Sequence, residues 1–188
     1  MAEPDLLLEE SFAPDSQELF TELASGIAWD ERMYSRKTAS FGAAYNYSGI
    51  TYDAIPMHSL LTPLVERLEA RLGFRPNNCL LNFYETGEAT MGFHSDSTEE
   101  LVKGTGVAII SLGAERSITF RSKQDKQIEH AYLLKSGSLL YMGPKVQEDW
   151  KHAILKQSDT GTRISLTFRQ IASSDREKWQ ESGGASVQ

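Results

Sequence analysis

Residues 163–169 read Arg-Ile-Ser-Leu-Thr-Phe-Arg, a strict alternation of polar and apolar side chains. Successive side chains of a β-strand point to opposite faces. The run therefore predicts a strand with Ile, Leu and Phe on one face and with Ser165, Arg163 and Arg169 on the other. Two interpretations of the polar face are open. It is solvated, with each arginine paired to a surface acid, or the two arginines converge on opposite ends of a dianion.

Six further short runs of β-type composition precede this strand, and Gly, Pro, Asp or Ser lies between most of them. The runs are Cys79–Glu85, Gly106–Leu112, Arg116–Arg121, Ile128–Leu134, Ser138–Met142 and Lys151–Leu155, and the last strand extends over Arg163–Ile171. Short strands at spacings of roughly 8–12 residues are typical of a β-sandwich or barrel. The pattern predicts a mainly β, jelly-roll-like core.

Two helices are predicted to back this core. The first follows Asp15, which with Glu18 resembles a capping arrangement, and it ends at Gly26. The second begins near Ser59, carries leucines at i, i+3, i+4 spacing, and ends at Gly73.

The formal net charge of −7 argues against a nucleic-acid partner, because phosphate binding requires a basic surface. The acids are unevenly distributed, however. Residues 1–31 hold nine of the 26 acids and no Lys or Arg, so residues 32–188 carry 17 acids against 19 bases. Nucleic acid is therefore not excluded for the main body of the chain.

The composition also limits the class of protein. With 40% hydrophobic and 24% charged residues the chain is globular, and no stretch approaches the ~20 apolar residues of a membrane helix. The single cysteine, Cys79, excludes an internal disulfide and fits a reducing compartment. We expect a monomeric single domain without membrane association, cytoplasmic (or nuclear in a eukaryote), with an acidic segment at 1–31, a β core at 77–171 and a polar tail at 172–188.

A candidate metal site is suggested by His94 and Asp96. In an extended segment, residues two apart point to the same side, so one imidazole and one carboxylate face the same point. His152, in another predicted strand, supplies a third donor. Two histidines and one carboxylate form the facial triad of non-haem Fe(II) enzymes. Taken alone, the His-x-Asp pair is equally compatible with a surface turn.

These motifs together resemble a known family. Asn82-x-Tyr84-x-x-Gly87, His94-x-Asp96, His152 and the arginine pair of residues 163–169 have the order and spacing of the AlkB family of Fe(II)- and 2-oxoglutarate-dependent dioxygenases. The resemblance extends over about residues 36–171. It implies a double-stranded β-helix core and a requirement for Fe(II), 2-oxoglutarate and O2.

The resemblance also implies roles for individual residues. His94, Asp96 and His152 would ligate iron. Arg163 with Tyr84 would hold the distal carboxylate of 2-oxoglutarate, and Arg169 with Asn82 would assist at the end that chelates iron. Ser165 stands where the family often has Asn, on the same face, and we expect the cosubstrate still to bind.

Residues 32–58 resemble the nucleotide-recognition lid of the family's nucleic-acid demethylases. Basic residues at Arg36 and Lys37 precede Tyr45, Tyr47 and Ser48. Cations can bind phosphate and aromatic rings can stack on bases, but the pattern alone is more typical of the end of an aromatic strand packed in the core. By resemblance, Tyr47 would stack on the target base opposite His94.

Thr98 departs from the resemblance, because the family's nucleic-acid demethylases commonly carry an acidic base-reading residue just past His-x-Asp. Thr98 would still contact the base, but it cannot stabilise a cationic base by charge.

The resemblance as a whole predicts, as the first choice of function, oxidative demethylation of N-alkylated DNA or RNA bases, with release of formaldehyde, succinate and CO2. The same oxygenase chemistry on a protein side chain or small molecule is a second possibility, and a non-catalytic β-barrel binding module is a third.

Overall fold

A computed structural model describes residues 3–172. The strands are β1 (Leu6–Glu9), β2 (Lys37–Gly42), β3 (Tyr45–Tyr47), β4 (Ile50–Tyr52), β5 (Asn78–Tyr84), β6 (Met91–His94), β7 (Val107–Gly113), β8 (Arg116–Ser122), β9 (Glu129–Leu134), β10 (Leu139–Met142), β11 (Trp150–Ile154) and β12 (Arg163–Arg169). The helices are α1 (Ser16–Gly26), α2 (Thr62–Leu72) and α3 (Pro144–Asp149). The fold is mainly β, as predicted. The predicted polar tail lies outside the described residues, apart from residue 172.

Two antiparallel sheets face each other. One has the strand order β1-β10-β7-β12-β5-β2, and the other has the order β6-β11-β8-β9. A third, two-stranded sheet pairs β3 with β4. This arrangement confirms the predicted jelly-roll core. All seven predicted runs form strands, and no strand end differs from its predicted position by more than two residues.

Helices α1 and α2 cover the outer face of the six-stranded sheet. Leu23 of α1 and Leu68 of α2 pack in one apolar cluster with Ile164, Leu166 and Phe168 of β12. A second apolar cluster fills the space between the two sheets. The even positions of β12 therefore face the helices, and its odd positions face the four-stranded sheet.

The polar face of β12 is interior rather than solvated. Arg163 and Arg169 are each only 1% exposed, and Ser165 and Thr167 are also buried. The interpretation in which each arginine pairs with a surface acid is therefore wrong. Strands β7 and β5 flank β12 within its own sheet, and the four-stranded sheet lies opposite its polar face.

Both predicted helices are present, although α2 begins at Thr62 rather than near Ser59. Pro63 lies in the first turn of α2, and Gly73 ends it in the left-handed region at φ 77°. Asp15 directly precedes α1, but no side-chain hydrogen bond caps that helix. None of the described helices is long and apolar enough to cross a membrane.

Some elements were not predicted. β1 lies in the acidic N-terminal segment and pairs with β10 at the edge of the large sheet. β2 and the β3–β4 hairpin occupy the lid-like segment 32–58, and α3 adds a third, short helix.

Candidate active site

The structure brings the three candidate metal ligands together. The donor atoms of His94, Asp96 and His152 lie within 4.8 Å of one another. His94 ends β6 and is the register partner of His152 in β11, while Asp96 follows two residues later. The His152 Nε2 and Asp96 Oδ2 atoms are 3.5 Å apart. Nitrogen and carboxylate donors grouped in this way fit the facial triad of non-haem Fe(II).

Neighbouring groups orient the three donors. The Nδ1 atom of His94 lies 2.8 Å from the Gly92 carbonyl oxygen and donates its proton to it. The Nε2 atom is then unprotonated and is the atom that can bind a metal ion. Arg169 donates from Nη2 to Asp96 Oδ1 at 2.7 Å, which leaves Oδ2 facing His152. The Asp96 backbone N–H donates to Gln147 Oε1 of α3 at 2.9 Å. Sequence reasoning did not identify Gln147, because an ordinary polar residue on a short helix carries no periodic signal.

Burial and charge set the protonation of the site. Burial opposes ionisation of Asp96, but Arg169 and the two histidines hold the pKa of its carboxyl below the ordinary value. Burial lowers the pKa of His152 to about 4. At neutral pH the site therefore presents a carboxylate and a neutral imidazole at His152, the protonation states that a metal ion requires.

One cavity, with an empty volume of about 400 Å³, contains the triad and both arginines of β12. Each cosubstrate residue predicted from the sequence lines it: Asn82, Tyr84, Arg163, Ser165 and Arg169. Apolar residues that were not predicted close its walls, namely Leu80, Met91, Ile109, Ile118 and Ile154. These five residues lie on five different strands, and nothing in the sequence showed which strand faces would meet.

Each of the two arginines has buried N–H groups that are not hydrogen-bonded to the described part of the protein. Arg163 donates from Nη2 to Ser111 Oγ at 2.9 Å, and its guanidinium lies 5.2 Å from the centroid of the Tyr84 ring. Its Nε and Nη1 atoms, like those of Arg169, have no hydrogen-bond partner among residues 3–172.

Buried donors without partners are costly, so a ligand that pairs with them is expected. A dianion with a carboxylate at each end fits two cations placed along one cavity. 2-Oxoglutarate has this form.

A second cavity, with an empty volume of about 900 Å³, adjoins the first. The two share Tyr47, Met91, His94 and Asp96 in their walls, and Ser48 also lines the second. The lid-like segment thus reaches the candidate metal site.

Arg36 is placed differently from its predicted role as a phosphate contact. It is half-buried and donates from Nη2 to Tyr47 Oη at 2.7 Å and from Nε to Asn82 Oδ1 at 2.8 Å. Lys37, the neighbouring base, is paired with Glu31 and Glu85. Neither base is a free surface cation, and Arg36 instead links the lid to the cosubstrate cavity.

Tyr45 and Tyr47 share a face of β3, as predicted, with ring centroids 6.3 Å apart. Tyr45 is only 5% exposed, and the Arg169 guanidinium lies 4.7 Å from its ring centroid. Tyr45 therefore packs mainly in the core against the site, and it also forms part of the wall of the second cavity. Thr98 is exposed and does not line either cavity, whereas Ser97 lines the second one. The prediction that Thr98 contacts the base is not supported by this placement.

Comparison with known proteins identifies the family. The family model described as the 2OG-Fe(II) oxygenase superfamily matches residues 16–169. The chain is 31% identical over 163 residues to the DNA oxidative demethylase ALKBH2 of Bos taurus. The alignment covers 81% of this chain and 59% of that protein. It is 29% identical over 173 residues to the alpha-ketoglutarate-dependent dioxygenase alkB homolog 3 of Homo sapiens, with 81% and 60% covered.

The chain thus spans about three fifths of the length of these two relatives. The solved structure of OsALKBH1 superimposes with a TM-score of 0.63 over 90% of this chain and 100% of that one. Its sequence identity of 20% limits that likeness to the fold. The family match covers every strand that lines the two cavities, whereas β1 lies outside the matched range and lines neither of them.

The donor set of the cavity fits Fe(II), and its two partly unpaired arginines fit the two carboxylates of 2-oxoglutarate. The matched family is that of the oxygenases that use both of them with O2. The chain belongs to the AlkB family of the 2OG-Fe(II) oxygenase superfamily.

Proposed function

We propose that this protein removes N-methyl groups from DNA or RNA bases by oxidation. The observation that carries the proposal is the open cavity beside the metal site, in whose wall Tyr47 and His94 both stand. An aromatic ring next to a metal-ligand imidazole is a suitable surface for a planar base. The relatives named as demethylases support the same substrate class.

The chain's residues divide the work between two cavities. His94, Asp96 and His152 would hold Fe(II), and Arg163 and Arg169 would hold the two carboxylates of 2-oxoglutarate. When bound, Fe(II) with 2-oxoglutarate and O2 supplies an oxidant that hydroxylates a methyl carbon, and succinate and CO2 are formed. The hydroxymethyl group then leaves the nitrogen as formaldehyde.

The protein's own contribution is positioning. Arg169 keeps Asp96 ionised and directs its second oxygen toward His152. Arg36 fixes the Tyr47 hydroxyl and also contacts Asn82, so that substrate and cosubstrate cavities share one hydrogen-bonded link. A base must leave a duplex to reach a cavity of this kind, which favours single-stranded or easily opened substrates.

The proposal is tested by incubating the protein with Fe(II), 2-oxoglutarate, O2 and single-stranded DNA and RNA oligonucleotides that each carry one N-methylated base. Mass spectrometry should show the loss of one methylene unit from at least one oligonucleotide. Tyr47→Ala should reduce this activity strongly, because the ring that would face the base is gone. Tyr47→Phe, which keeps the ring and loses only the hydroxyl bonded to Arg36, should retain most of it.

Two alternatives predict different results. If the substrate is a protein side chain or small metabolite, no oligonucleotide will be demethylated while 2-oxoglutarate is turned over on another substrate. If the protein is a non-catalytic binding module, neither reaction will occur. The monomeric state and the cytoplasmic or nuclear location predicted from the sequence complete the proposal, and they require sedimentation and localisation measurements.

A further inference from the structure

The charges around the substrate cavity point to the kind of base that it accepts. Among the described residues that line either cavity, Asp96 is the one carboxylate. Its side chain is buried, directed at the metal site and bonded to Arg169 at 2.7 Å. Asp96 therefore has no free charge to offer a base. The cavity wall also contains the neutral polar side chains of Asn46, Ser48 and Ser97.

A cation also lines the open cavity and has no acidic partner in the part of the chain that is described. Arg36 donates to Tyr47, Asn82 and Ser35 and to the Thr90 carbonyl, all of them neutral groups. Its guanidinium is 5.7 Å from the centroid of the Tyr47 ring. The ring that would stack on a base therefore already has a positive charge beside it.

Acids beyond the cavity do not reverse this balance. Glu99 and Glu100 follow Thr98, but both are exposed and neither lines the cavity. A third acid, Glu129, is paired with Arg121. The Arg121 guanidinium lies 3.7 Å from the ring centroid of Phe93, a residue of the cavity wall, so this pair adds no net negative charge near the cavity. Exposed charges are weakened by solvent, whereas half-buried Arg36 is screened less.

We propose that this enzyme prefers N-methylated bases that are neutral at physiological pH over those that are positively charged at that pH. The inference rests on the proposed function. A cationic base would lose hydration on entering the cavity, meet Arg36, and find no unpaired carboxylate. A neutral base would instead donate and accept hydrogen bonds with the neutral side chains of Ser97, Asn46 and Ser48.

The test compares two bases that carry the methyl group at the same ring position. N3-Methylthymine is neutral and N3-methylcytosine is cationic, and each is placed in the same single-stranded oligonucleotide. We expect kcat/KM to favour the thymine substrate by about tenfold or more. Binding measured by fluorescence anisotropy without O2, so that no turnover occurs, should show the same order. Equal values, or a preference for the cytosine substrate, would overturn the inference.

Matched variants test the cause of the preference. Ser97→Asp adds a carboxylate to the cavity wall and should shift the kcat/KM ratio toward the cytosine substrate by about tenfold, whereas neutral Ser97→Asn should not shift it. If Ser97→Asp fails to fold or to bind metal, the isosteric Asn46→Asp replaces it, with Asn46→Ser as its control. An unchanged ratio in the acidic variant that folds would refute the role of charge.

The same experiment separates this inference from the proposed function. If both oligonucleotides are demethylated and the cytosine substrate is preferred, the charge inference fails and the demethylase proposal stands. If neither is demethylated while 2-oxoglutarate is consumed with a protein or metabolite substrate, the proposed function itself fails.

Discussion

Replacement of Arg169 by Met tests how the site keeps a carboxylate ionised in the interior. Arg169 is 1% exposed and donates to Asp96 at 2.7 Å, and its guanidinium lies against Tyr45. Methionine fills part of the same volume and removes the charge. Asp96 would then be a buried carboxylate without its cation.

The magnitude follows from the burial of both partners. Removing one partner of a buried ion pair costs about 3–5 kcal/mol, because the other charge stays buried and uncompensated. Arg75→Met is the matched control, since Arg75 pairs with Glu69 on the surface. An exposed pair of this kind contributes at most about 1 kcal/mol. The free energy of unfolding should therefore separate the two variants by several kcal/mol.

The assay is urea denaturation of the metal-free protein, repeated with Mn(II) as a redox-stable substitute for Fe(II). A bound metal ion supplies positive charge to Asp96, so the deficit of Arg169→Met should become smaller when Mn(II) is present. A metal-free deficit below about 1 kcal/mol would refute the view that Arg169 compensates Asp96. A deficit that Mn(II) leaves unchanged would refute the view that Asp96 faces the metal.

Three further predictions concern the cosubstrate, pH and packing. Arg163→Met should weaken 2-oxoglutarate binding, measured by calorimetry with Mn(II), by about tenfold to a hundredfold, since a buried charged donor is lost; unchanged affinity would contradict its role. His152 has a pKa of about 4 when folded against 6.5 for the ordinary group, so the unfolded chain binds more protons between these values. Metal-free stability should fall by up to about 3 kcal/mol as the pH drops through this window, and His152→Gln should flatten the slope. Gly87→Ala would place a Cβ 1.8 Å from the Gln157 carbonyl oxygen. The free energy of unfolding, measured by denaturant titration, should therefore fall by about 1–3 kcal/mol. An unchanged midpoint would contradict that contact.

The parts of the site that lie on one strand were predictable from the sequence. Alternation along residues 163–169 placed Arg163, Ser165 and Arg169 on one face, and all three line the cavity. His94 and Asp96 were placed on one side by the same period of two. Local geometry fixes such relations, so the sequence pattern contains them.

Relations between distant segments were not predictable. Arg36 and Asn82 are 46 positions apart and are joined by a hydrogen bond that depends on the pairing of β2 with β5. Thr98 and Ser97 are adjacent in sequence, yet the turn after Asp96 brings only Ser97 to the cavity. The interior position of the polar face of β12 likewise depended on the second sheet, which no single strand pattern describes.

The central claim, oxidation of an N-methyl group with 2-oxoglutarate as cosubstrate, is tested most directly with an oligonucleotide whose N-methyl group carries deuterium. The protein, Fe(II), 2-oxoglutarate and O2 should yield labelled formaldehyde, succinate and demethylated base in equal amounts, and the isosteric variant Asp96→Asn should yield none of them. Succinate formed at the normal rate while every methyl label stays on the oligonucleotide would contradict the claim.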